Sequence, residues 1–169
     1  EESARRLGEM SPIPGRYNTI SNDLGIWVVV DYAHTPDAIS GVIDQTRALV
    51  TGRVIAIAGA GGDRDQEKRP LMGRALCSAD VPIVTTDNPR SEDPEAILEQ
   101  VISGTDATAL VEPDRRLAIR KALATARAGD AVLILGKGHE AGQEFADRVV
   151  PFDDIEVARS ELALLGGTS

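Results

Sequence analysis

The sequence has few of the residues that define several common classes of protein. Cys77 is the one cysteine among 169 residues, so no disulfide can form within the chain. The only histidines are His34 and His139, and no CxxC spacing occurs, so the sequence predicts no metal site. The longest apolar run, residues 26–30, is far too short to span a membrane, and no signal peptide is evident. We therefore expect a cytoplasmic protein.

Aromatic residues make up 3% of the chain, whereas hydrophobic residues together reach 42%. The core must therefore be built from Ala, Val, Ile and Leu, which suit a parallel sheet covered by helices. The length fits one ordinary domain. A net charge of −9 argues against partners such as nucleic acid or an anionic membrane, but it leaves room for a local basic pocket. These patterns favour no particular oligomeric state.

Short runs rich in Val and Ile alternate with segments of helical periodicity. This alternation predicts a doubly wound (Rossmann-like) α/β fold, with a mostly parallel sheet and helices on both faces. The predicted strands are 26–30, 54–58, 81–85, 109–111, 131–135 and 145–150, and the predicted helices are about 36–52, 70–78, 94–104, 115–126 and 153–165. The last strand follows its predecessor after a short connection, so we expect these two to pair antiparallel at one edge of the sheet.

Unusual residues follow four of the predicted strands. They are Asp31 to His34, Gly59 to Arg69, Asp87 to Arg90 and Gly136 to Glu140. Ligands of open α/β sheets bind beyond the carboxyl ends of the strands, which is where these segments would lie. Their coincidence at one edge predicts a binding site.

The glycine-rich segment from Gly59 to Arg64 partly matches the GxGxxG pattern of dinucleotide-binding domains. Arg64, however, stands at the third glycine position, where close helix–strand packing needs almost no side chain. The glycines could also serve only to turn the chain. Because Arg64, Lys68 and Arg69 cluster in this loop of an acidic protein, we favour a local anion site.

The segment Asp87-Asn88-Pro89-Arg90 has a stiff backbone, since Pro89 has a fixed φ and favours an extended Asn88. Arg90 suits a bidentate grip on a carboxylate, and Asp87 can pair with an ammonium group. Together they could recognise an amino acid. A simple turn with a surface arginine is an equally good interpretation of these residues alone.

Two further strand ends have open interpretations. The glycines around Lys137 would let a ligand approach the backbone, and Glu140 could hold a second ammonium group. Asp31 and His34 are similar to a nucleotide-contacting pair, but Asp31 could equally cap a turn and His34 could simply be exposed. No GxxxxGK[ST] phosphate loop occurs, so no Walker-type ATP site is predicted within this chain.

Seven motifs follow one another in the order typical of a single family. They are Pro14-Gly15-Arg16, Asp31-Tyr32-Ala33-His34-Thr35-Pro36, Gly61-Gly62-Asp63-Arg64-Asp65, Lys68-Arg69-Pro70-Leu71-Met72-Gly73, Asp87-Asn88-Pro89-Arg90, Gly136-Lys137-Gly138-His139-Glu140 and Pro151-Phe152-Asp153-Asp154. Over essentially its whole length, the chain resembles the C-terminal domain of Mur ligases that add meso-diaminopimelate to UDP-MurNAc-L-Ala-D-Glu in peptidoglycan precursor synthesis. The ordered set is far more specific than any one motif.

The resemblance implies part of an ATP-dependent amide ligase. In this family ATP phosphorylates the D-Glu side-chain carboxylate, and the amine of the incoming amino acid then attacks the acyl phosphate. ATP and Mg2+ would be bound mainly outside this chain, as would the UDP-MurNAc dipeptide, and no catalytic residue is implied within it. Residues 1–15 would be the tail of the preceding central domain with a linker, and 16–169 the amino-acid-binding domain. Alone, the chain would be inactive.

Site residues are carried over motif by motif. The residues implied to hold diaminopimelate are Arg64, Asp87, Asn88, Pro89, Arg90, Gly136 and Glu140. Those implied to approach ATP on domain closure are Arg16, Asp31 and His34. One departure lies at the hinge, where Tyr17-Asn18 replaces the usual Met or Leu followed by Glu, and it bears on the role of Arg16.

Three alternatives differ from this interpretation. The chain could be an NAD(P)-binding domain of an oxidoreductase, against which Arg64 argues. It could be a non-catalytic module that reuses the ligase fold, although the complete motifs argue against that. A folylpolyglutamate synthetase would share the fold, but we would not expect it to carry both the Asp87–Arg90 and the Gly136–Glu140 motifs.

Overall fold

The computed structural model describes residues 16–166, so the predicted tail and linker at 1–15 lie outside the described residues. In chain order the elements are β1 (Asn18–Thr19), β2 (Trp27–Asp31), α1 (Pro36–Arg47), β3 (Val54–Ala58), α2 (Lys68–Leu76), β4 (Val81–Val84), α3 (Pro94–Ile102), β5 (Leu110–Val111), α4 (Arg115–Thr125), β6 (Ala131–Leu135), β7 (Gly142–Glu144), β8 (Val149–Pro151) and α5 (Asp154–Gly166). Within this part of the chain, each helix is too short or too polar to cross a lipid bilayer.

Six strands form one sheet in the order β1-β2-β6-β3-β4-β5. The four neighbouring pairs β2–β6, β6–β3, β3–β4 and β4–β5 are parallel, and β1 is antiparallel to β2. The predicted fold class is therefore confirmed. The two central strands, β3 and β6, are buried along their whole length, as their unbroken runs of apolar residues require.

The predicted strand at 145–150 is wrong, and so is its pairing. Phe145 lies in the turn of a separate two-stranded hairpin, in which β7 and β8 pair antiparallel. The reason is that β6 already has β2 on one side and β3 on the other, so it offers no free edge. The antiparallel strand at the sheet edge is β1 instead.

The helices cover both faces of the sheet and enclose two hydrophobic cores. One core joins α1, α2 and α3 to the sheet through residues such as Ile43, Leu76 and Ile97. The other joins α4 and α5 to the opposite face through Ile119 and Leu162. Among the described residues the buried apolar side chains are Ala, Val, Ile and Leu apart from Met72, which confirms the predicted core composition.

Helix starts follow the capping signals in the sequence. Thr35 accepts a hydrogen bond from Ala38 N over 3.3 Å, and Pro36 occupies the first turn of α1. The side chains of Asp93 and Asp114 cap α3 and α4 in the same way. These caps fix the starts of α1, α3 and α4, whereas α2 begins without a side-chain cap. The loops that follow β2, β3, β4 and β6 meet at one edge of the sheet.

Candidate functional site

A cleft of about 250 Å3 lies beyond the carboxyl ends of β2, β3, β4 and β6. We call it the charged cleft. Six residues predicted to hold the amino acid line it: Arg64, Asp87, Asn88, Arg90, Gly136 and Glu140. The seventh, Pro89, is not among the lining residues, and its carbonyl oxygen would be 1.8 Å from a Cβ added to Gly62. The backbone of the Asp87–Arg90 segment therefore depends on a glycine in the neighbouring loop.

Asp87 is 7% exposed and lies at the base of the charged cleft. Gly136 makes room for its carboxylate, because a Cβ added to Gly136 would lie 2.5 Å from Oδ2 of Asp87. Gly136 also has a φ of +112°, a conformation that other residues rarely adopt. Burial raises the pKa of Asp87, and the nearby charges of Arg115 and Lys137 oppose that rise.

Asn88 is held in place by the protein. Its Oδ1 accepts hydrogen bonds from Lys137 Nζ and from Glu144 N, each over 3.0 Å. Its Nδ2 donates to Oε2 of Glu140 over 2.7 Å. The amide thus organises its neighbours, and a direct contact of Asn88 with substrate stays a prediction.

Lys137 is a functional candidate that the sequence analysis missed. Its side chain is fully buried, and Nζ donates to Asn88 Oδ1, to Glu140 Oε2 and to the carbonyl of Gly142. The available signal was a lysine between two glycines, two residues after the end of a wholly buried strand. Such a lysine cannot reach solvent easily, so it requires acceptors inside the fold.

Arg90 is fixed by both its backbone and its side chain. It has a φ of +51°, and its N–H donates to Glu144 O over 2.9 Å in the hairpin formed by β7 and β8. Its Nη1 donates to Gly62 O over 2.8 Å, and its Nε lies 3.2 Å from Oε2 of Glu144. The hairpin also reaches Asp87, whose carbonyl accepts from Gln143 Nε2 over 2.9 Å. A positive φ is costly for a residue other than glycine, and these contacts hold Arg90 in that conformation.

Arg64, Lys68 and Arg69, the predicted anion-binding cluster, all line the charged cleft, but two of them already have carboxylate partners. Arg69 is 1% exposed, and its guanidinium donates to both carboxylate oxygens of Glu92 over 2.8 Å. Lys68 forms an ion pair with Asp65 over 3.5 Å. Arg64 remains exposed, with its Nη1 bonded to the Asp63 carbonyl over 3.0 Å. Among the described residues it is the member of this trio without a carboxylate partner.

Arg16, Asp31 and His34 come together at a neighbouring depression of about 490 Å3, next to the charged cleft. Asp31 accepts hydrogen bonds from Tyr17 N and Ala33 N, each over 2.7 Å, so it does cap a turn. His34 is exposed, with Nδ1 2.7 Å from Tyr32 O. The exposed side chains of Arg16 and His34 suit a phosphate or a ribose, whereas the oxygens of Asp31 are already engaged. Approach of these residues to ATP stays a prediction.

Two regions of opposite charge thus share one cleft. Arg64 lies in the loop that follows β3, and Arg90 contacts that loop at Gly62. Glu140 lies in the loop that follows β6, and Asp87 lies next to that loop at Gly136. Within residues 16–166, no group of three or more His, Cys, Asp or Glu side chains is arranged to hold a metal ion. Fold and cleft together define an α/β domain with a cleft at the carboxyl edge of its sheet that is suited to a small polar ligand.

The chain belongs to the Mur ligase family, since residues 15–138 match the family model described as "Mur ligase, glutamate ligase domain". A relative from Solibacter usitatus is 48% identical over 166 residues, which are 96% of this chain and 34% of that protein. One from Aquifex aeolicus is 46% identical over 158 residues, 92% of this chain and 32% of that protein. Both are named UDP-N-acetylmuramoyl-L-alanyl-D-glutamate--2,6-diaminopimelate ligase. The chain spans about a third of the length of these relatives.

Solved structures agree with this assignment. One titled as a UDP-N-acetylmuramoyl-L-alanyl-D-glutamate--2,6-diaminopimelate ligase superposes with a TM-score of 0.85 at 38% identity, over 98% of this chain and 37% of that one. E. coli FolC in complex with ADP gives 0.58 at 25% identity, over 99% of this chain and 36% of that one. The dinucleotide-binding alternative is not supported. Its glycines would have to open a helix, whereas α2 begins only at Lys68.

Proposed function

We propose that this chain is the amino-acid-binding domain of an ATP-dependent ligase that adds meso-diaminopimelate to UDP-MurNAc-L-Ala-D-Glu. The observation that carries the proposal is that two arginines, Arg64 and Arg90, and two carboxylates, those of Asp87 and Glu140, line one cleft. The names and high identities of the curated relatives support the same substrate.

The chemistry of meso-diaminopimelate matches this pattern. Each end of the molecule carries one carboxylate and one ammonium group. A guanidinium can bind a carboxylate with two parallel hydrogen bonds, and Nη2 of both Arg64 and Arg90 makes no hydrogen bond with the described residues. A carboxylate at the buried base of the cleft, such as Asp87, binds an ammonium more strongly than it would in water.

The remaining chemistry belongs to other parts of the proposed ligase. ATP with Mg2+ would activate the D-Glu carboxylate outside this chain. Arg16 and His34 would meet the nucleotide from the depression beside the charged cleft. Closure would bring the amine to the acyl phosphate and keep water away from it. We therefore propose that the chain alone binds the amino acid and forms no amide bond.

Calorimetric titration of the chain with meso-diaminopimelate and with L-lysine tests this proposal. L-Lysine retains both ammonium groups but lacks one carboxylate. We expect meso-diaminopimelate to bind more tightly to the wild type, and Arg64→Ala to lose about tenfold of that affinity. Arg64 suits the test because its single side-chain bond, to Asp63 O, does not join distant parts of the fold.

The matched control is Arg148→Ala, which removes an exposed arginine of the hairpin that pairs with Asp147 away from the cleft. It should bind both ligands like the wild type. Absence of wild-type binding at millimolar ligand, or equal affinities of wild type and Arg64→Ala for meso-diaminopimelate, would contradict the proposal.

A further inference from the structure

Lys137 connects three segments of the site from inside the fold. Nζ lies 3.0 Å from Asn88 Oδ1 and 3.4 Å from Glu140 Oε2, and it also donates to the carbonyl of Gly142. Its side chain has 0% exposure. A buried ammonium requires acceptors of this kind, because nothing else replaces its lost water.

The acceptors of Lys137 are themselves joined. Oε2 of Glu140 also accepts from Asn88 Nδ2 over 2.7 Å, so lysine, amide and carboxylate form a closed triangle. Each member fixes the orientation of the other two. The amide cannot flip without placing its NH2 group against the ammonium. One oxygen of Glu140, Oε1, is left without a hydrogen bond from the described residues.

The charges near the base of the cleft do not cancel. Arg115 and Asp154 form a fully buried pair of their own, with Nη2 and Oδ2 2.7 Å apart. The remaining groups are the carboxylates of Asp87 and Glu140 and the single ammonium of Lys137. When both carboxylates are ionised, as an ammonium ligand would favour, two negative charges and one positive charge leave one negative charge facing the cleft.

We propose that Lys137 is a positioning residue for the ammonium end of the charged cleft, where it fixes Asn88 and Glu140 and leaves one carboxylate charge for one ammonium group of the ligand. This inference rests on the proposed function, since it assumes an amino-acid ligand. It explains why a costly buried lysine stands two residues after the end of the central strand β6. Lys137 acts through Asn88 and Glu140 and makes no contact with the ligand itself.

The first test uses the unchanged protein. Lys68, Lys121 and Lys137 are the only lysines in the sequence, so a chain labelled with 15N-lysine gives a simple ammonium spectrum. Lys137 should give an observable Nζ–H signal because it is buried and bonded. Lys68 and Lys121 have side chains 55% and 57% exposed and should exchange with water too fast to be seen. Absence of a protected signal in the folded chain would overturn the triangle.

Two ligands then separate the ends of the cleft. Pimelate has the carbon chain and both carboxylates of diaminopimelate but no amines. Addition of meso-diaminopimelate should shift the Lys137 ammonium signal, because an ammonium group enters beside Glu140. Pimelate should leave that signal unchanged, even at concentrations where it binds. A shift of the same size with both ligands would overturn the inference.

A variant supplies the third measurement. Lys137→Met keeps the length of the side chain and can be buried, but it removes the charge and the donors. We expect it to lose about tenfold of the wild-type preference for meso-diaminopimelate over pimelate. A general loss of stability would weaken both ligands equally and leave the ratio unchanged, which would count against the inference.

The two proposals fail in different ways. If the proposed function is wrong, the wild type itself binds neither ligand with preference. If only the role of Lys137 is wrong, the wild type prefers meso-diaminopimelate and Lys137→Met retains that preference. Should Lys137→Met not fold, as judged by circular dichroism, Lys137→Gln serves instead, because it keeps a side-chain N–H donor in the buried position while removing the charge. It should lower the same ratio, and an unchanged ratio would contradict the inference.

Discussion

Arg69 and Glu92 join the two loops that form the arginine side of the charged cleft. Both terminal nitrogens of the Arg69 guanidinium donate to the Glu92 carboxylate, each over 2.8 Å. Glu92 also accepts from Asp63 N over 2.6 Å, next to Arg64. The pair thus holds the loop that carries Arg64 against the loop that carries Arg90, without itself presenting a free charge to a ligand.

Glu92→Gln should destabilise the fold above pH 5 and have a smaller effect in acid. The bonds from Arg69 and from Asp63 N lower the pKa of Glu92 from 4.5 to about 2. A carboxyl with a lowered pKa contributes stability above its unfolded pKa, and loses that contribution as the pH falls from 4.5 towards 2. Thermal melting at pH 7, 4 and 2 should show the wild type and variant converging. Glu156→Gln, which removes an exposed pair with Arg159, should change little at any pH.

Asp87→Asn should stabilise the chain at neutral pH while abolishing recognition of the ammonium group. Burial raises the pKa of Asp87 above 3.8, so the folded state resists ionisation that the unfolded state accepts freely. The wild type is therefore penalised as the pH rises above 3.8, and the advantage of the variant should vanish below that value. Urea unfolding at pH 7 and pH 3 measures this difference.

The control for Asp87 is Asp31, which lies at the carboxyl end of β2 at the same edge of the sheet. The two oxygens of Asp31 accept from the backbone N–H groups of Tyr17 and Ala33, one each, and Asp31→Asn replaces one of these oxygens with an NH2 donor. It should cost about 1–3 kcal/mol, because a backbone donor is left unpaired. Opposite signs for the two aspartates would support our assignment of Asp87 to binding and Asp31 to structure. Destabilisation by both variants at pH 7 would contradict it.

Gly136→Ala should weaken diaminopimelate binding strongly. The added Cβ would lie 2.5 Å from Oδ2 of Asp87, and the φ of +112° is unfavourable for alanine. Gly41→Ala is the matched control, since Gly41 lies within α1 and a Cβ there meets no atom within 4 Å. That variant should gain about 0.5–1 kcal/mol and bind normally. Calorimetry and thermal melting of both variants check these expectations. Normal binding of diaminopimelate by Gly136→Ala would refute the role of Gly136 in the cleft.

Asp154→Leu should be among the most destabilising single substitutions in the chain. Asp154 and Arg115 are both fully buried, and two side-chain hydrogen bonds of 2.8 and 2.7 Å join them. Removing one partner leaves a buried unpaired charge, at a cost of about 3–5 kcal/mol. The double variant Arg115→Met/Asp154→Leu should recover much of that loss. Urea midpoints of the single and double variants measure this, and a double variant less stable than the single would show that the cost is not electrostatic.

The elements predicted best from the sequence are those with a local chemical signal. Thr35 before Pro36 and Asp93 before Pro94 mark helix starts to the residue, because capping acts within one turn. The ends are less well defined: α1 was predicted to extend to about Gly52 and ends at Arg47. Strand β1 was missed because its two residues carry no hydrophobic pattern, and its pairing with β2 is a long-range contact.

The charged cleft could be predicted only in part for the same reason. Its residues stand at strand ends, and the fold class alone brings those ends together. Which side chains remain free is decided by partners far away in sequence, as with Arg69 and Glu92. The buried role of Lys137 likewise depends on Asn88, 49 residues earlier. Local motifs therefore identified the loops that form the cleft. They did not identify the ion pairs that decide which charged side chains of each loop are bound within the protein and which are open to a ligand.

The hairpin of β7 and β8 affects when the cleft can form during synthesis. Arg90 N donates to Glu144 O, and Gln143 Nε2 donates to Asp87 O, so the Asp87–Arg90 segment is completed by residues more than 50 positions downstream. On the ribosome, β2, β3 and β4 emerge before either the central strand β6 or this hairpin exists. The strained φ of Arg90 lacks its two contacts with Glu144 until then, and only the bond to Gly62 O can form earlier. A nascent chain should thus acquire its ligand-binding ability late and in one step, after most of its residues have already been made.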